Sequence, residues 1–216
     1  MEQPLIYKYQ PLLIKDFEFR EDFVSFIRGL ISMDCLNLIF VGDNCSGKTS
    51  IIWGIVREYY NCKNKFVTNE NILTINSLKD QGLSYYRTEV KTFCQTSCSI
   101  SGKKKFVILD DIDMINEQSQ QVFRNCIDNY SNKVHFIASC VNPHKVIQSL
   151  QSRLTILKLY PLRTETLIKI AKRICNEEKI TMTKEAQEFI VDISNNSVRV
   201  LINYLEKLKL LSMNVN

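Results

Sequence analysis

A polar turn inside an apolar part of the chain carries the first residues with recognisable chemistry. The stretch from Leu38 to Ile52 reads LIFVGDNCSGKTSII, so an apolar run stops at a glycine and another begins after GKTS. The spacing G-x-x-x-x-G-K-[ST] is that of a phosphate-binding loop, whose glycines permit unusual backbone angles and whose N–H groups form a concave anion site. In such a loop the lysine reaches the β- and γ-phosphates and the next hydroxyl ligates Mg²⁺. The predicted nucleotide-binding residues are Gly42, Asp43, Asn44, Cys45, Ser46, Gly47, Lys48, Thr49 and Ser50, with Thr49 also a predicted Mg²⁺ ligand.

A second stretch, FVILDDID from Phe106 to Asp113, is an apolar strand that ends in acids. Ligands of an open α/β sheet bind at the carboxyl ends of its strands, so Asp110 is expected to lie near Lys48 and to hold Mg²⁺ through water. Asp111 stands where hydrolysing ATPases usually carry a glutamate that orients the attacking water. Because aspartate is one methylene shorter, Asp111 is either a slower base or a turn residue in a site that does not hydrolyse ATP.

Length and composition bound the class of protein. The chain has 216 residues, 45% of them hydrophobic, which predicts one full domain and a small second one. The apolar runs are too short to span a membrane, and the N-terminus MEQPLIYKYQ does not read as a signal peptide. Eight cysteines, several within apolar patterns, indicate reduced thiols in an intracellular protein. The net charge of +5 permits a polyanionic partner without requiring one.

The order of the elements predicts an α/β fold, because strands alternate with helices as in a parallel sheet covered on both faces. After Pro161 the apolar residues recur at helical spacing only, which predicts a small helical domain. We therefore expect a nucleotide-binding domain over residues 1–160 and a three-helix lid over residues 161–216. The predicted strands are Leu36–Val41, Ile72–Ile75, Phe106–Asp110, Val134–Ser139 and Thr155–Tyr160. The predicted helices are Ser50–Tyr60, Ser84–Gln95, Glu117–Tyr130, Lys145–Gln151, Thr164–Glu178, Lys184–Ser194 and Val198–Leu211.

Five blocks of sequence, in order and at family spacing, resemble the small subunits of replication factor C, the AAA+ sliding-clamp loaders of eukaryotes, archaea and large DNA viruses. This resemblance implies an AAA+ P-loop NTPase fold with a parallel five-stranded sheet and a three-helix lid. The blocks are YKYQP (Tyr7–Pro11), LTINSLKDQGLSYYRTEVKTFCQT (Leu73–Thr96), VILDDIDMINEQSQQVFRNCIDNY (Val107–Tyr130), HKVIQSLQSRL (His144–Leu154) and NSVRVLINYL (Asn196–Leu205).

The resemblance also implies roles for single residues. Tyr9 and Pro11 match positions that lie against the adenine. Arg153 matches the arginine that reaches a neighbouring subunit's ATP site, and Arg199 matches an arginine of the lid that contacts the bound phosphates; from the residues alone, both are as easily surface arginines. The family's asparagine that senses the γ-phosphate aligns with Val141, so Asn142 either takes that role or the role is lost.

Two basic residues match positions that follow the phosphates of primer–template DNA in the family, Arg87 and Lys145. The alternative is that both only keep the surface soluble. The segment Asn116–Arg124 matches the part that presses on the sliding clamp, although its apolar residues and those just before it could equally be core.

The first functional hypothesis is an ATP-binding, ATP-hydrolysing clamp-loader subunit that works with other AAA+ loader subunits, a PCNA-like sliding clamp and primer–template DNA, in the nucleus or at a viral replication site. The second is a non-hydrolysing scaffold subunit that donates Arg153. The third is an AAA+ initiator or helicase-loading factor. The relatives' helical collar domain has no counterpart before the chain stops at Asn216, so ring assembly is expected to depend on ATPase-domain contacts or on partners.

Overall fold

The computed structural model describes residues 3–62, 69–76 and 82–214. By its internal contacts the chain divides into two compact units. The sheet unit comprises Leu12–Gly42 and Gly47–Leu159; the lid unit comprises the N-terminal residues up to Pro11, the loop residues Asp43–Ser46 and the chain from Tyr160 onward. In this division the N-terminal segment groups with the C-terminal helices. Whether the predicted domains fold independently stays a prediction.

The helices of the structure differ in places from the predicted ones. They are α1 (Leu5–Lys8), α2 (Glu21–Ser32), α3 (Lys48–Tyr59), α4 (Leu83–Tyr85), α5 (Lys91–Gln95), α6 (Glu117–Tyr130), α7 (Gln148–Gln151), α8 (Thr164–Glu178), α9 (Lys184–Ile193) and α10 (Val198–Asn214). The predicted helix Ser84–Gln95 is interrupted by a π-helical segment, Tyr86–Val90, between α4 and α5. The predicted helix Lys145–Gln151 is a 3₁₀ turn, Pro143–Lys145, followed by α7, because Val146 between them has an extended backbone.

Five parallel strands form one sheet, which confirms the predicted fold class. They are β1 (Leu38–Val41), β2 (Ile72–Asn76), β3 (Lys105–Asp110), β4 (Val134–Cys140) and β5 (Thr155–Lys158), and their order across the sheet is β2-β3-β4-β1-β5. Strands β3, β4 and β1 are flanked on both sides, and almost all of their residues are buried, as the continuous apolar runs predicted.

Alternate strand residues pack into two cores, one on each face of the sheet. Ile39 and Val107 belong to the core under α5 and α6, whereas Phe40 and Phe106 belong to the core under α2 and α3. The sheet is therefore covered on both sides, and the carboxyl ends of its strands all lie at one edge.

The lid unit has a core of its own, built from α1, α8, α9 and α10. Leu5 of α1 packs with apolar residues of the three C-terminal helices, which include Leu167 and Leu201. Its polar centre is Glu178, whose buried carboxylate accepts hydrogen bonds from Lys8 Nζ and Tyr9 Oη, both at 2.6 Å, and from Lys209 Nζ at 2.8 Å. These donors, the Lys209 ammonium first, lower the pKa of Glu178 to about 2. Across the ranges that the structure describes, no helix has both the length and the apolar character needed to cross a membrane.

Candidate nucleotide-binding site

The phosphate-binding sequence lies between a buried strand and a helix, the context that its motif requires. Strand β1 ends one residue before Gly42, and α3 begins at Lys48. Gly47 precedes the helix with a φ of +90°, a conformation that glycine adopts without the strain that a side chain would cause. Gly42 N–H donates to the carbonyl of Cys140 in β4 (3.2 Å), which fixes the start of the loop against the sheet.

The loop residues Asp43–Ser46 form a tight turn. Ser46 N–H donates to Asp43 O at 3.2 Å, and Cys45 has a φ of +62°. Among the residues that the structure describes, the Ser46 hydroxyl is buried and has no hydrogen-bond partner. A buried donor of this kind is suited to a phosphate oxygen, since leaving it unpaired costs free energy.

Lys48 is 7% exposed, and its Nζ donates to Gly42 O at 2.9 Å. The ammonium is thus held close to the start of the loop rather than free in solvent. Its position at the first turn of α3 adds to the positive end of the helix, so both favour an anion.

The threonine of the loop contacts the acid at the end of β3. Thr49 Oγ1 lies 3.1 and 3.2 Å from the two carboxylate oxygens of Asp110, and Ser139 Oγ donates to Asp110 at 2.6 Å. Hydroxyl and carboxylate oxygens are the ligands that Mg²⁺ prefers, so this donor set fits the ion. The two residues predicted as Mg²⁺ ligands are therefore brought together.

Asp111 follows Asp110 in a left-handed conformation, with a φ of +52°. Its N–H donates to Ser139 Oγ at 3.0 Å. Burial raises the pKa of the Asp111 carboxyl, the charges of Asp110 and Asp113 raise it further, and the Lys48 ammonium opposes them. A carboxylate with a raised pKa next to a phosphate-binding loop is suited to act as a general base.

The residues at the predicted γ-phosphate sensor are held by Asp113. Its Oδ2 accepts the N–H groups of Val141 (3.2 Å) and Asn142 (2.9 Å). The side chain of Asn142 accepts His144 N–H at 3.0 Å and so caps the 3₁₀ turn that follows. Val141 is 37% exposed. The amide of Asn142 therefore has a structural role here, and a sensing role for it stays a prediction.

Arg153, the predicted arginine finger, follows α7 and contacts α6. Its Nε lies 2.5 Å from Asp128 Oδ1, and its Nη1 donates to Ser149 O. Arg124 also pairs with Asp128, at 3.3 Å. The hydrogen bond from Arg153 holds the pKa of the Asp128 carboxyl below its usual range. Contacts within its own chain therefore hold the Arg153 guanidinium in one orientation.

The remaining predicted site residues lie in other surroundings. In the lid unit, Tyr9 and Pro11 are half-buried, and Arg199 is exposed in the first turn of α10. In the sheet unit, Arg87 is exposed in the π-helical segment, and Lys145 is exposed at the end of a 3₁₀ turn.

The segment Asn116–Arg124 and the apolar residues just before it are mostly structural. Phe123 and Ile115 are buried in the core, whereas Met114 is 70% exposed and is the apolar residue here that a partner could reach.

Two buried polar residues near the site did not enter the sequence predictions. Ser139, in β4, joins Asp110 to the backbone of Asp111. Gln120 of α6 is fully buried; its Nε2 donates to the carbonyls of Ile115 (2.9 Å) and Lys145 (3.0 Å), and its Oε1 accepts Ile147 N–H (2.9 Å). Ser139 is a polar residue within the apolar run VHFIASC, which is a signal that the sequence does contain, whereas Gln120 stands in the polar stretch NEQSQQ, where nothing in the sequence marks it as buried.

Comparisons with known proteins agree with this geometry. Residues 38–162 match the family described as ATPase family associated with various cellular activities (AAA). Over its full length the chain is 29% identical to a replication factor C small subunit of Methanococcus vannielii and covers 68% of that protein. Over 94% of its length it is 28% identical to replication factor C subunit 5 of Homo sapiens, covering 59% of it.

Solved structures show the same fold at lower sequence identity. A mutant of Thermotoga maritima RuvB superposes on 92% of this chain, and on 64% of its own, with a TM-score of 0.71 and 16% identity. The chain therefore spans roughly two thirds of the length of the proteins that it resembles.

Proposed function

This chain belongs to the AAA family of ATPases. We propose that it is an ATP-binding subunit of a clamp loader, which opens a sliding clamp and loads it onto primer–template DNA. The contact between Thr49 and Asp110 carries the nucleotide part of this proposal, because it joins the two Mg²⁺ ligands of the motif. The likeness to replication factor C small subunits along the whole chain supports the loader part.

In this function the phosphates lie on the backbone N–H groups of the loop and against Lys48. Thr49 and Asp110 hold Mg²⁺, which neutralises phosphate charge when it is bound. By their match to the family, Tyr9 and Pro11 are assigned to the adenine and Arg199 to the phosphates.

Asp111 is proposed to orient the attacking water, since a raised pKa makes its carboxylate a better proton acceptor. Arg153 is proposed to act on the nucleotide of a neighbouring subunit, where a guanidinium stabilises charge that develops on the γ-phosphate. Its ion pair with Asp128 fixes its direction before assembly and so lowers the ordering cost of that contact.

A second candidate, a scaffold subunit that binds ATP without hydrolysing it, is favoured by the sensor segment. The Val141 side chain has no group that can hydrogen-bond to phosphate or water, and the Asn142 side chain is oriented by its hydrogen bond from His144 N–H, through which it caps the following turn. In this case Arg153 still serves a neighbouring site.

Arg87 and Lys145 are proposed to contact phosphates of the DNA duplex, and both are exposed. Such contacts are independent of sequence and weaken as salt rises. Replacing Arg87 by alanine is expected to lower duplex affinity and to reduce the salt slope by about one. The exposed Arg20 at the start of α2 provides the control, and an Arg87→Ala variant with unchanged affinity and slope removes this assignment.

The first experiment is capture of the tagged chain from its native source in ATP, with mass spectrometry of the bound proteins. Recovery of a sliding clamp and other loader-like AAA+ subunits is the expected result, in the nucleus or at a viral replication site. Recovery of a replicative helicase instead would overturn the loader role and favour a helicase-loading factor.

Steady-state ATP turnover of the captured complex then separates the two candidates. Arg153→Ala is expected to lower turnover at the neighbouring site by about 10³-fold. Arg124→Ala is the matched control, because Arg124 pairs with the same Asp128 carboxylate. If Asp111→Asn also lowers turnover, the chain hydrolyses its own ATP; if only Arg153→Ala does so, the chain is a scaffold.

A further inference from the structure

A cavity in the sheet unit lies between α6 and the segment that runs from the π-helical turn into α5. Its volume is about 390 Å³, within the roughly 300–1,000 Å³ of pockets that take small molecules. The residues of the phosphate-binding loop, all of which the structure describes, are not among those that line it. The cavity is therefore distinct from the nucleotide-binding site described above.

The wall formed by α6 carries a stripe of four carboxamides. They are spaced three, four and four residues apart, so they follow one another along a single face of the helix. The four are Gln118, Gln121, Asn125 and Asn129. Of these, only Asn125 has a side-chain hydrogen bond within the part of the chain that the structure describes, from Arg124 at 3.0 Å. Because each carboxamide both donates and accepts, this wall offers adjacent donors and acceptors to a ligand.

The opposite wall carries positive charge. Arg87 lies in the π-helical turn and Lys91 is the first residue of α5, and both are exposed. None of the described residues that line the cavity is acidic, and Asp128, on α6, is paired with Arg124 and Arg153. π-Helical turns are rare and frequently occur at functional sites. This wall is therefore suited to an anionic group.

Tyr130, the last residue of α6, adds a half-buried aromatic ring to the same cavity. Aromatic rings stack on nucleobases, carboxamides form paired hydrogen bonds with base edges, and cations hold phosphate. An apolar ligand would leave the carboxamides it covers without partners, and a metal ion would meet two positive charges. A nucleotide uses the ring, the carboxamides and the cations together.

We propose that this cavity binds one unpaired nucleotide, with its base on the carboxamides of α6 and the ring of Tyr130, and its phosphate on Arg87 and Lys91. A free mononucleotide and an unpaired nucleotide within a DNA strand present the same groups, and the experiments below separate them. The proposal adds to the duplex contact proposed for Arg87. It requires neither clamp loading nor ATP turnover, and its tests use the chain without loader partners or ATP.

The first test compares labelled DNA duplexes with and without one extra, unpaired thymidine in one strand, by fluorescence anisotropy with the full chain. We expect the duplex with the extra thymidine to bind about tenfold more tightly, because stacking and hydrogen bonding of one base contribute about that much. A duplex with an abasic residue at the same position is the control, since it keeps the added phosphate and lacks the base. Equal affinity for all three duplexes would overturn the proposal and leave the duplex contact of Arg87 untouched.

Variants separate recognition of the base from recognition of phosphate. Gln121→Ala should reduce the preference for the extra thymidine by about fivefold, the effect of one lost hydrogen bond, without changing affinity for the fully paired duplex. Arg87→Ala should weaken binding of both duplexes alike. Gln95, an exposed glutamine of α5 that does not line the cavity, provides the matched control Gln95→Ala, which should change neither. An unchanged preference in Gln121→Ala would place the base elsewhere and overturn the proposal.

Photo-crosslinking locates the base in the wild-type chain and so does not depend on how the variants fold. Iodouracil replaces the unpaired thymine, and mass spectrometry of the irradiated complex maps the linked peptide, which we expect to contain Tyr130. If millimolar dTMP abolishes this link, the cavity takes the free mononucleotide; if the link persists, it takes the nucleotide within the strand. A link outside α5 and α6 would contradict the proposal. So would a polyglutamate peptide that competes as well as an oligonucleotide of equal charge, because charge alone would then be recognised.

Discussion

The two ends of the sheet each carry a cluster of polar residues around carboxylates, and the clusters differ in how their charges are balanced. At the carboxyl ends of the strands lies the nucleotide cluster of Thr49, Asp110, Asp111 and Ser139. At the opposite end lies the Asp34 cluster, in which one carboxylate accepts hydrogen bonds from Tyr59 Oη (2.8 Å), Lys104 Nζ (2.8 Å) and His135 Nε2 (3.0 Å).

The direction of the pKa shifts separates the two clusters. Burial raises the pKa of Asp34, but the hydrogen bonds from Lys104, Tyr59 and His135 outweigh it and hold that pKa below its usual range. The pKa of Asp111 is raised instead, by burial and by two neighbouring carboxylates. The charge of Asp34 is satisfied by the donors around it, whereas the cluster at the carboxyl ends of the strands holds like charges close together, which suits the cation that we propose to bind there.

The largest effect is expected on ATP affinity, and it should differ between a lysine at one end of the sheet and a lysine at the other. Lys48→Ala should weaken ATP binding by about 10³-fold, or about 4 kcal/mol, because it leaves the phosphate charges without their partner. Lys104→Ala, at the Asp34 cluster, should leave ATP affinity unchanged. Titration with a fluorescent ATP analogue measures both, and equal losses would show that the two ends are not independent.

The next effect is on stability in acid. Burial lowers the pKa of His135 to about 4, against an ordinary value of about 6.5, despite its bond to Asp34. The unfolded chain therefore binds this proton more readily, and stability is lost as the pH falls from about 6.5 to about 4. The shift corresponds to about 3 kcal/mol.

Urea unfolding at pH 7 and pH 4.5 measures this dependence. His135→Phe keeps an aromatic ring against Tyr59 and Phe106 and should reduce the loss in acid. His144→Gln replaces the other histidine, which is exposed, and should behave as the wild type does. If His135→Phe loses as much stability between pH 7 and pH 4.5 as the wild type does, the loss comes from carboxylates elsewhere in the protein.

A third and smaller effect concerns the Asp34 carboxylate itself. Asp34 has a left-handed backbone with a φ of +56°, which asparagine tolerates, so Asp34→Asn changes charge without adding backbone strain. We expect a loss of about 2 kcal/mol in the free energy of unfolding, because buried donors lose their acceptor. Urea unfolding at pH 7 provides the measurement, and unchanged stability would mean that solvent replaces this carboxylate.

The sequence contains enough to predict the nucleotide cluster but not the Asp34 cluster. Lys48, Thr49 and Asp110 belong to motifs whose spacing encodes their chemistry, and parallel strands bring their ends together. Asp34 and His135 are far apart in sequence and meet only because β1 lies beside β4. The local sequence pattern does not give the order of the strands in the sheet, so the pairing of Asp34 with His135 could not be predicted.

Local context also altered some predicted elements. The sequence predicts one helix from Ser84 to Gln95, but a π-helical segment interrupts it, which no periodicity of apolar residues indicates. The N-terminal segment belongs to the lid unit, where Tyr9 Oη donates a hydrogen bond to Glu178. Local pattern does not indicate this contact, because the two residues are 169 positions apart in the sequence. The ion pair of Arg153 with Asp128 likewise depends on how α6 packs near α7.

The smallest effect is expected from the same aspartate-to-asparagine change at the other end of the sheet. Asp111 also has a left-handed backbone, so Asp111→Asn is matched to Asp34→Asn in shape and strain. The raised pKa means that the folded state favours the neutral carboxyl, and the wild type should gain stability as the pH falls through that pKa.

At pH 7 the Asp111→Asn variant should therefore be more stable than the wild type by about 0.5 kcal/mol, the opposite sign to Asp34→Asn. Lys48 keeps the gain small, because its charge favours an ionised Asp111. Urea unfolding of both variants side by side measures the difference. If Asp111→Asn loses stability as Asp34→Asn does, the negative charge of Asp111 stabilises the fold. The clustering of like charges would then not be explained by nucleotide binding alone.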